Sequence, residues 1–378
     1  MAKIRYALVG FGGIAENRVA KEGFACDRGR FKPLRHAQLV GATDLNPARE
    51  AAASALGLKW YAGLDDVLAD KAIDAVYVAT NNLSHVPLAT AALKAGKHVI
   101  VEKPMATSVA DAKKLCKLAK AKGLSLTVDH MMVNNAWNVA GKAALAKGAL
   151  GAVNDCCFHM EFAYGYDPAE AATWRCSRVD EMGGPIGDVA SHCFYVAEFM
   201  FGKKIKRLGA VYYPKVMKIK AEDGAYVKFF FEDGTQGSVN CAFSENRGGL
   251  AGTLTNLGYE IYGTKAAMRG YGTLFQLSGY ADEPIVQRLE IDDGKKVLPV
   301  RPAKIQNIYQ TLIEGHAKSI LDGKPLTGDD AVHNLALCAA CHASAQKGGK
   351  QVSVVPTIRR PFPERCIFRW RSTWWSLP

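Results

Sequence analysis

A chain of 378 residues, 49% apolar and 22% charged, is long enough for two cores and too apolar to stay disordered. It has no run near the roughly 20 apolar residues of a membrane helix, and ten cysteines spread from Cys26 to Cys366 are too dilute for a disulfide scaffold. The net charge of +12 is distributed along the chain, with +4 of it in residues 356–378, which argues against a nucleic-acid stripe.

Residues 4–9 read as a buried strand, and Gly10-Phe11-Gly12-Gly13-Ile14-Ala15 follows at once. This fits G-x-G-x-x-G/A between a strand and a helix. Gly10 makes the tight turn, Gly12 admits a pyrophosphate close to the backbone, and Ala15 is small enough for helix–strand packing. Gly10, Gly12, Gly13 and Ile14 are therefore the candidate dinucleotide residues, at a helix start whose free N–H groups attract phosphate. A simple tight turn is the plainer alternative. The apolar N-terminal segment lacks the shape of a secretory signal, so a cytoplasmic protein is expected. Strand 37–43 ends at Asp44, whose carboxylate can accept from an adenosine ribose 2′-OH and repels a 2′-phosphate, favouring NAD over NADP. Asp44 stands 34 residues beyond Gly10, which predicts an intervening loop around 26–33; a cap on the next helix is its alternative role.

Helical spacing over 47–56, 64–69, 83–94 and 108–122 alternates with strands over 75–79, 98–102 and 125–128, predicting a parallel, doubly wound sheet. Within 111–122, Ala112, Leu115, Leu118 and Ala119 share one face. Thr80-Asn81-Asn82-Leu83-Ser84-His85 follows one strand and Glu102-Lys103-Pro104 another. Ligands of open α/β sheets bind outside such strand ends. Pro104 biases Lys103 toward extended backbone, aimed into that crevice.

After about residue 130 the rhythm changes. A helix over 134–147 precedes strands over 153–163, 205–213, 226–231, 236–243 and 259–262, with a helix over 186–201 inserted. Asp233-Gly234 between two of these strands predicts a type I′ hairpin turn. Helices over 304–321 and 329–346 and a short strand over 351–355 close the pattern. The expectation is an N-terminal α/β Rossmann domain (1–129), then an α+β domain (130–355) with a large open, mainly antiparallel sheet. The Arg-, Trp- and Pro-rich tail over 356–378 has no periodicity and reads as a disordered or appended extension, or as a segment docking on a partner. Cys338-Ala339-Ala340-Cys341-His342 matches the haem-attachment pattern but lies inside an amphipathic helix, so no haem is expected, and no spacing suits a metal.

Gly183-Gly184-Pro185 opens the 186–201 helix and sets Asp188 and His192 at i and i+4 on one face. Histidine titrates nearest neutrality and can take a hydroxyl proton as a hydride leaves. Asp188 would orient the imidazole, and Lys103 would hydrogen-bond the reacting oxygen. A helix-start aspartate and a buried structural histidine are the plain alternatives. Taken with the glycine loop, the Thr80–His85 segment, Glu-Lys-Pro and Asp-x-x-x-His in this order, the chain resembles the glucose–fructose oxidoreductase / inositol dehydrogenase (Gfo/Idh/MocA) family up to about Val355.

That resemblance implies an NAD(P)-dependent oxidoreductase moving a hydride at a secondary hydroxyl or keto group of a sugar, polyol, cyclitol or sugar derivative. It implies homodimers or homotetramers through the open sheet, with no nucleic acid or membrane partner. It places Lys103, Asp188 and His192 in catalysis and Thr80, Asn82, His85 and Glu102 beside the cofactor, with His85 equally readable as a surface residue. Asn81 stands where the family usually has proline. His130, Tyr164, Trp174 and Arg175 are candidate substrate contacts, with Asn134 and Glu161 nearby, because a polyol pocket wants donors, acceptors and an aromatic face. Two other functions fit the pattern: an NAD-using glycosidase, against which Lys103 argues, and a non-catalytic NAD-binding sensor, against which the Lys103–Asp188–His192 set argues.

Overall fold

The computed structural model describes residues 2–245 and 258–354; Val355 and the 356–378 tail lie outside them. Six strands, β1 (Ile4–Val9), β2 (Ala37–Thr43), β3 (Lys59–Trp60), β4 (Ala75–Val78), β5 (His98–Val101) and β6 (Leu126–Val128), form one sheet in the order β3-β2-β1-β4-β5-β6. Every pair is parallel, the order of a dinucleotide-binding sheet. Tyr6, Leu8, Val76, Val78, Ile100 and Val101 are fully buried, as near-continuous apolar strands covered on both faces must be.

The glycine loop feeds α1 (Ala15–Gly23), which is wider than an α-helix: Phe24 N–H reaches back five residues to Val19 O at 2.7 Å. Helices α2 (Glu50–Ala55), α3 (Leu64–Ala69), α4 (Asn82–Lys94) and α5 (Val109–Lys122) return the chain between strands. Ser108 caps α5 by accepting from Asp111 N–H, and Gly123 at φ +65° ends it. Its buried face is Ala112, Leu115, Cys116 and Ala119; Leu118 is only half-buried, and Cys116 takes the place expected of it.

After α6 (Ala136–Ala146) comes the second sheet: β7 (Val153–Glu161), β8 (Ile205–Tyr212), β9 (Gly224–Phe231), β10 (Gln236–Ala242), β11 (Gly258–Gly263), β12 (Ala267–Tyr271), β13 (Arg288–Asp292), β14 (Val297–Pro299) and β15 (Val352–Ser353). Their order is β14-β13-β12-β11-β7-β10-β9-β8-β15. All neighbours are antiparallel except β7 and β10, which run parallel through Cys157 and Ser238. The β9–β10 turn is not type I′. Only Gly234 has positive φ there (+90°), Gly234 N–H donates to Phe231 O at 3.1 Å, and Phe231 N–H donates to Thr235 O at 2.8 Å. That is a type I turn closed by a glycine bulge, which spares Asp233 a left-handed backbone.

A wide turn at Ile186–Ala190 leads into α7 (Ser191–Phe201); α8 (Ile308–Leu321) and α9 (Asp329–Ala345) follow. Asn307 caps α8 by accepting from Tyr309 and Gln310 N–H, so the helix starts at Ile308 rather than at 304. Helix α8 lies back on the parallel sheet, where Tyr6 O–H and His316 Nδ1 are 2.8 Å apart. In α9, Cys338 and Cys341 are buried thiols, and His342 Nδ1 pairs with Tyr212 O–H at 2.7 Å. Among the described residues no helix is long and apolar enough to cross a membrane.

Candidate active site

Gly10 sits at φ +90°, and a Cβ there would lie 2.7 Å from Ala79 O, so glycine is required on both backbone and steric grounds. A Cβ on Gly12 or Gly13 would meet nothing within 4 Å, and Ile14 is 44% exposed, while Ala15 is buried against the fold. The loop therefore presents unobstructed backbone where a pyrophosphate would lie. Asp44 belongs to the same corner: Oδ2 accepts from Phe11 N–H at 2.6 Å and Oδ1 from Asn46 N–H at 2.8 Å. The cap on the following helix is Asn46, which accepts from Ala48 N–H at 3.1 Å. Nearby Arg49 is already engaged, donating from Nε to Phe11 O at 2.7 Å and pairing with Glu16.

After β4, Thr80 is half-buried and Asn81 caps α4, its side-chain oxygen accepting from Ser84 N–H at 3.1 Å. This capping bond is what the asparagine provides at a position where proline would have none. Asn82 is buried and donates to Glu181 O at 2.6 Å, which joins this turn to the second half of the chain. His85 is completely buried, not a surface residue. Its ring nitrogens face Pro104 O at 2.8 Å and Thr80 O at 3.2 Å, tying two strand-end loops together, and burial lowers its pKa.

From the loop after β5, Lys103 Nζ crosses to the second half and donates to Asp188 Oδ1 at 2.7 Å and to Asp188 O at 2.8 Å. Both side chains are shielded, at 9% and 8% exposure. Arg175 Nε donates to Asp188 Oδ2 at 3.1 Å, with its guanidinium 4.7 Å from the Trp174 ring centroid. Tyr164 lies close to Arg175, and its hydroxyl pairs with Thr173 Oγ1 at 3.2 Å. Burial works against the Asp188 charge, but Lys103 and Arg175 outweigh it and hold the carboxyl down at about 2.

His192 is buried at the start of α7, and its pKa lies well below the ordinary range, first through burial and then through Lys103. It is neutral at physiological pH and able to accept a proton. The expectation that Asp188 hydrogen-bonds and orients this imidazole is corrected. Both Asp188 oxygens are taken by cations, and Asp188 sits on the wide Ile186–Ala190 turn rather than on a regular helix. With i→i+5 bonding, residues i and i+4 no longer line up. Asp188 acts on His192 through its charge alone.

His130 is buried close enough to feel Asp330 and Lys103, and it acts in turn on His192. It stacks on Tyr195 with ring centroids 3.9 Å apart, its Nδ1 has no hydrogen-bond partner, and burial pushes it down to about 4. Asn134 and Glu161 do not join this site: Asn134 donates to Ile308 O at 3.3 Å, and Glu161 lies 3.4 Å from His159. Glu102 is partly buried beside Lys103, its Oε2 accepting from the Lys103 N–H at 3.2 Å. Sequence reading missed its neighbours Tyr77 and Asp129, which carried no motif. Only the adjacency of β4, β5 and β6 in the sheet reveals them.

A family model described as an oxidoreductase family with an NAD-binding Rossmann fold matches residues 4–130, and a GFO/IDH/MocA C-terminal domain matches residues 139–269. A 1,5-anhydro-D-fructose reductase from Ensifer adhaerens is 29% identical over 296 residues, 75% of this chain and 81% of that protein. An aldose–aldose oxidoreductase from Caulobacter crescentus superposes with TM-score 0.79 at 23% identity, over 93% of this chain and 99% of that one. A levoglucosan dehydrogenase solved with NADH and levoglucosan superposes with TM-score 0.75 at 20% identity, over 94% and 100%.

Proposed function

The chain belongs to the Gfo/Idh/MocA oxidoreductase family, and on that premise we propose that it is an NAD-dependent dehydrogenase acting on a secondary hydroxyl of a sugar-like substrate. The observation that carries this reading is the bridge from Lys103, on a strand end of the parallel sheet, to Asp188 beside a neutral buried His192. A cation, a fixed carboxylate and a base from both halves of the chain meet where a carbinol would have to sit.

In the oxidative direction, His192 accepts the hydroxyl proton as the C–H bond breaks and the carbonyl forms. The Lys103 ammonium donates to the reacting oxygen and stabilises the negative charge that develops there. Asp188 keeps that ammonium in place and balances its charge, and Arg175 fixes the other Asp188 oxygen, so that the ammonium needs little reorganisation during reaction. NAD, when bound, supplies the hydride acceptor. The open Gly12–Gly13 backbone fits its pyrophosphate, and Asp44 beside that loop fits a ribose 2′-OH better than a 2′-phosphate, with Arg49 committed elsewhere. His130, Tyr164, Trp174 and Arg175 offer a stacked ring, a phenol, an aromatic face and a fork of donors to a polyol.

Two relatives are named for anhydrosugars, which puts such compounds first in a substrate search. The proposal includes a homo-oligomer formed through the second sheet, where Val211 and Tyr226 face each other across β8 and β9 at 55% and 49% exposure. It also includes a cytoplasmic location. The test is absorbance at the reduced-nicotinamide band, with NAD and NADP separately, over anhydrosugars, sugars, polyols, inositols and sugar acids. Turnover with NAD on at least one of these is expected. NAD binding without turnover anywhere would overturn the dehydrogenase reading and favour a non-catalytic sensor.

A further inference from the structure

A second cluster, joined to the Lys103 backbone through Glu102, is not used by the chemistry above. Tyr77 on β4, Glu102 after β5 and Asp129 after β6 come from three neighbouring strands of the parallel sheet. Tyr77 O–H is 2.5 Å from Asp129 Oδ2 and 3.2 Å from Glu102 Oε1. A single hydroxyl thus stands between two carboxyl groups. Tyr77 and Asp129 are fully buried, and among the described residues Asp129 Oδ1 has no hydrogen-bond partner. The buried Tyr309 hydroxyl on α8 is close enough to feel both carboxyls, with Arg18 and Glu22 also near, and has no hydrogen-bond partner among the described residues. The adjacent cation, Lys103, is committed to Asp188.

A count of donors fixes the protonation. Two ionised carboxylates would have only acceptors to offer each other, and the one Tyr77 proton cannot serve both. Like charges on either side of one hydroxyl, with Asp129 wholly out of water, cannot both persist. One proton must therefore reside on the pair: burial raises both groups above the ordinary carboxyl range, and the Glu102 charge raises Asp129 further.

We propose that Asp129 is a positioning residue: it shares a single proton with Glu102, and the resulting singly charged pair holds Glu102 Oε2 on the Lys103 N–H and leaves the ammonium to Asp188 and the substrate. Were both carboxylates charged, the second would compete with Asp188 for the lysine and pull it toward the sheet. The inference rests on the proposed dehydrogenase reading for its catalytic consequence, but not for the shared proton itself.

The test compares Asp129→Asn and Asp129→Ala with the wild type. An asparagine can accept from Tyr77 through its oxygen, carries N–H donors and bears no charge, so it stands in for the protonated carboxyl at every pH. Asp129→Asn should keep turnover within about fivefold, while Asp129→Ala should lose about 10- to 100-fold in kcat with the Kd for NAD unchanged. The proton also has a signature that needs no substrate. A carboxyl whose folded pKa is raised binds more protons folded than unfolded, so stability falls as pH rises from about 4 toward that pKa. The wild type should show this loss in urea unfolding between pH 5 and 9, and Asp129→Asn should show a flatter profile. Equal pH profiles for the two proteins would overturn the shared proton, even if no substrate is found or Asp129→Ala does not fold. Wild-type kcat in Asp129→Ala, or equal damage from alanine and asparagine, would overturn the positioning role.

Discussion

Asp188 and Asp129 are both buried aspartates flanking Lys103, and their surroundings drive them in opposite directions. On the side of the second sheet, Asp188 meets two cations and stays ionised down to about pH 2. On the side of the parallel sheet, Asp129 meets another carboxyl and holds a proton. The same side chain at similar burial thus becomes a counter-ion in one place and a hydrogen-bond donor in the other. Burial alone penalises both charges; the partner decides which charge survives. Lys103 meets an undivided negative charge at its ammonium and, at its backbone N–H, a pair that shares a single negative charge.

The most damaging test is to remove the centre of this arrangement. Lys103→Met should lower kcat by about 10³- to 10⁴-fold, and His192→Ala by about 10²- to 10⁴-fold, with NAD binding retained in both, as measured by titration calorimetry and steady-state rates. Turnover near the wild type in either variant would remove that residue from the reaction. Next in size is Asp188→Asn, which leaves Lys103 and Arg175 facing each other without their carboxylate. Breaking a buried pair by deleting one partner costs about 3 kcal/mol or more, so urea unfolding should register that loss, together with a fall in kcat of one to two orders of magnitude. A stability change under 1 kcal/mol would mean that solvent screens the pair.

A pH titration separates the two aspartates with opposite signs. Asp188 binds fewer protons folded than unfolded, so its stabilisation is complete above pH 4 and is lost as pH falls toward about 2, amounting to about 2 kcal/mol. His192, depressed by burial, adds to this: the unfolded chain gains a proton below about pH 6.5 that the folded site refuses. Acid unfolding should therefore be steeper in the wild type than in Asp188→Asn. An unchanged acid limb in that variant would break the contrast with Asp129.

The two sides also differed in how far the sequence revealed them. The glycine loop, Asp44, Glu-Lys-Pro and the parallel strands are local signals, because a tight turn, a strand end and a run of buried apolar residues each need only their own neighbours. Lys103 and Asp188 were individually legible for the same reason. Asp188's partners were not: the i+4 spacing pointed to His192, whereas the wide turn and the crossing lysine gave the carboxylate to Lys103 and Arg175. The outer strands Ala267–Tyr271, Arg288–Asp292 and Val297–Pro299 went unread, because such short, polar segments become strands only by pairing with an edge already formed. Tyr77 and Asp129 stand 52 positions apart and meet only through the β4-β5-β6 order.

The smallest effect is the most discriminating for the carboxyl pair. Tyr77→Phe deletes the hydroxyl that reaches both carboxyls and changes no charge. If the pair carries its own proton, no second charge is left bare, and the loss is one hydrogen bond, about 1 kcal/mol of stability, with kcat within about threefold. If instead the Tyr77 proton is what separates two ionised carboxylates, its removal leaves two bare buried charges in contact. The cost should then match or exceed that of Asp188→Asn and grow with rising pH. Unfolding curves for the two variants at pH 6 and pH 8 decide between these outcomes, since a modest, nearly pH-independent loss is possible only with a proton already on the pair.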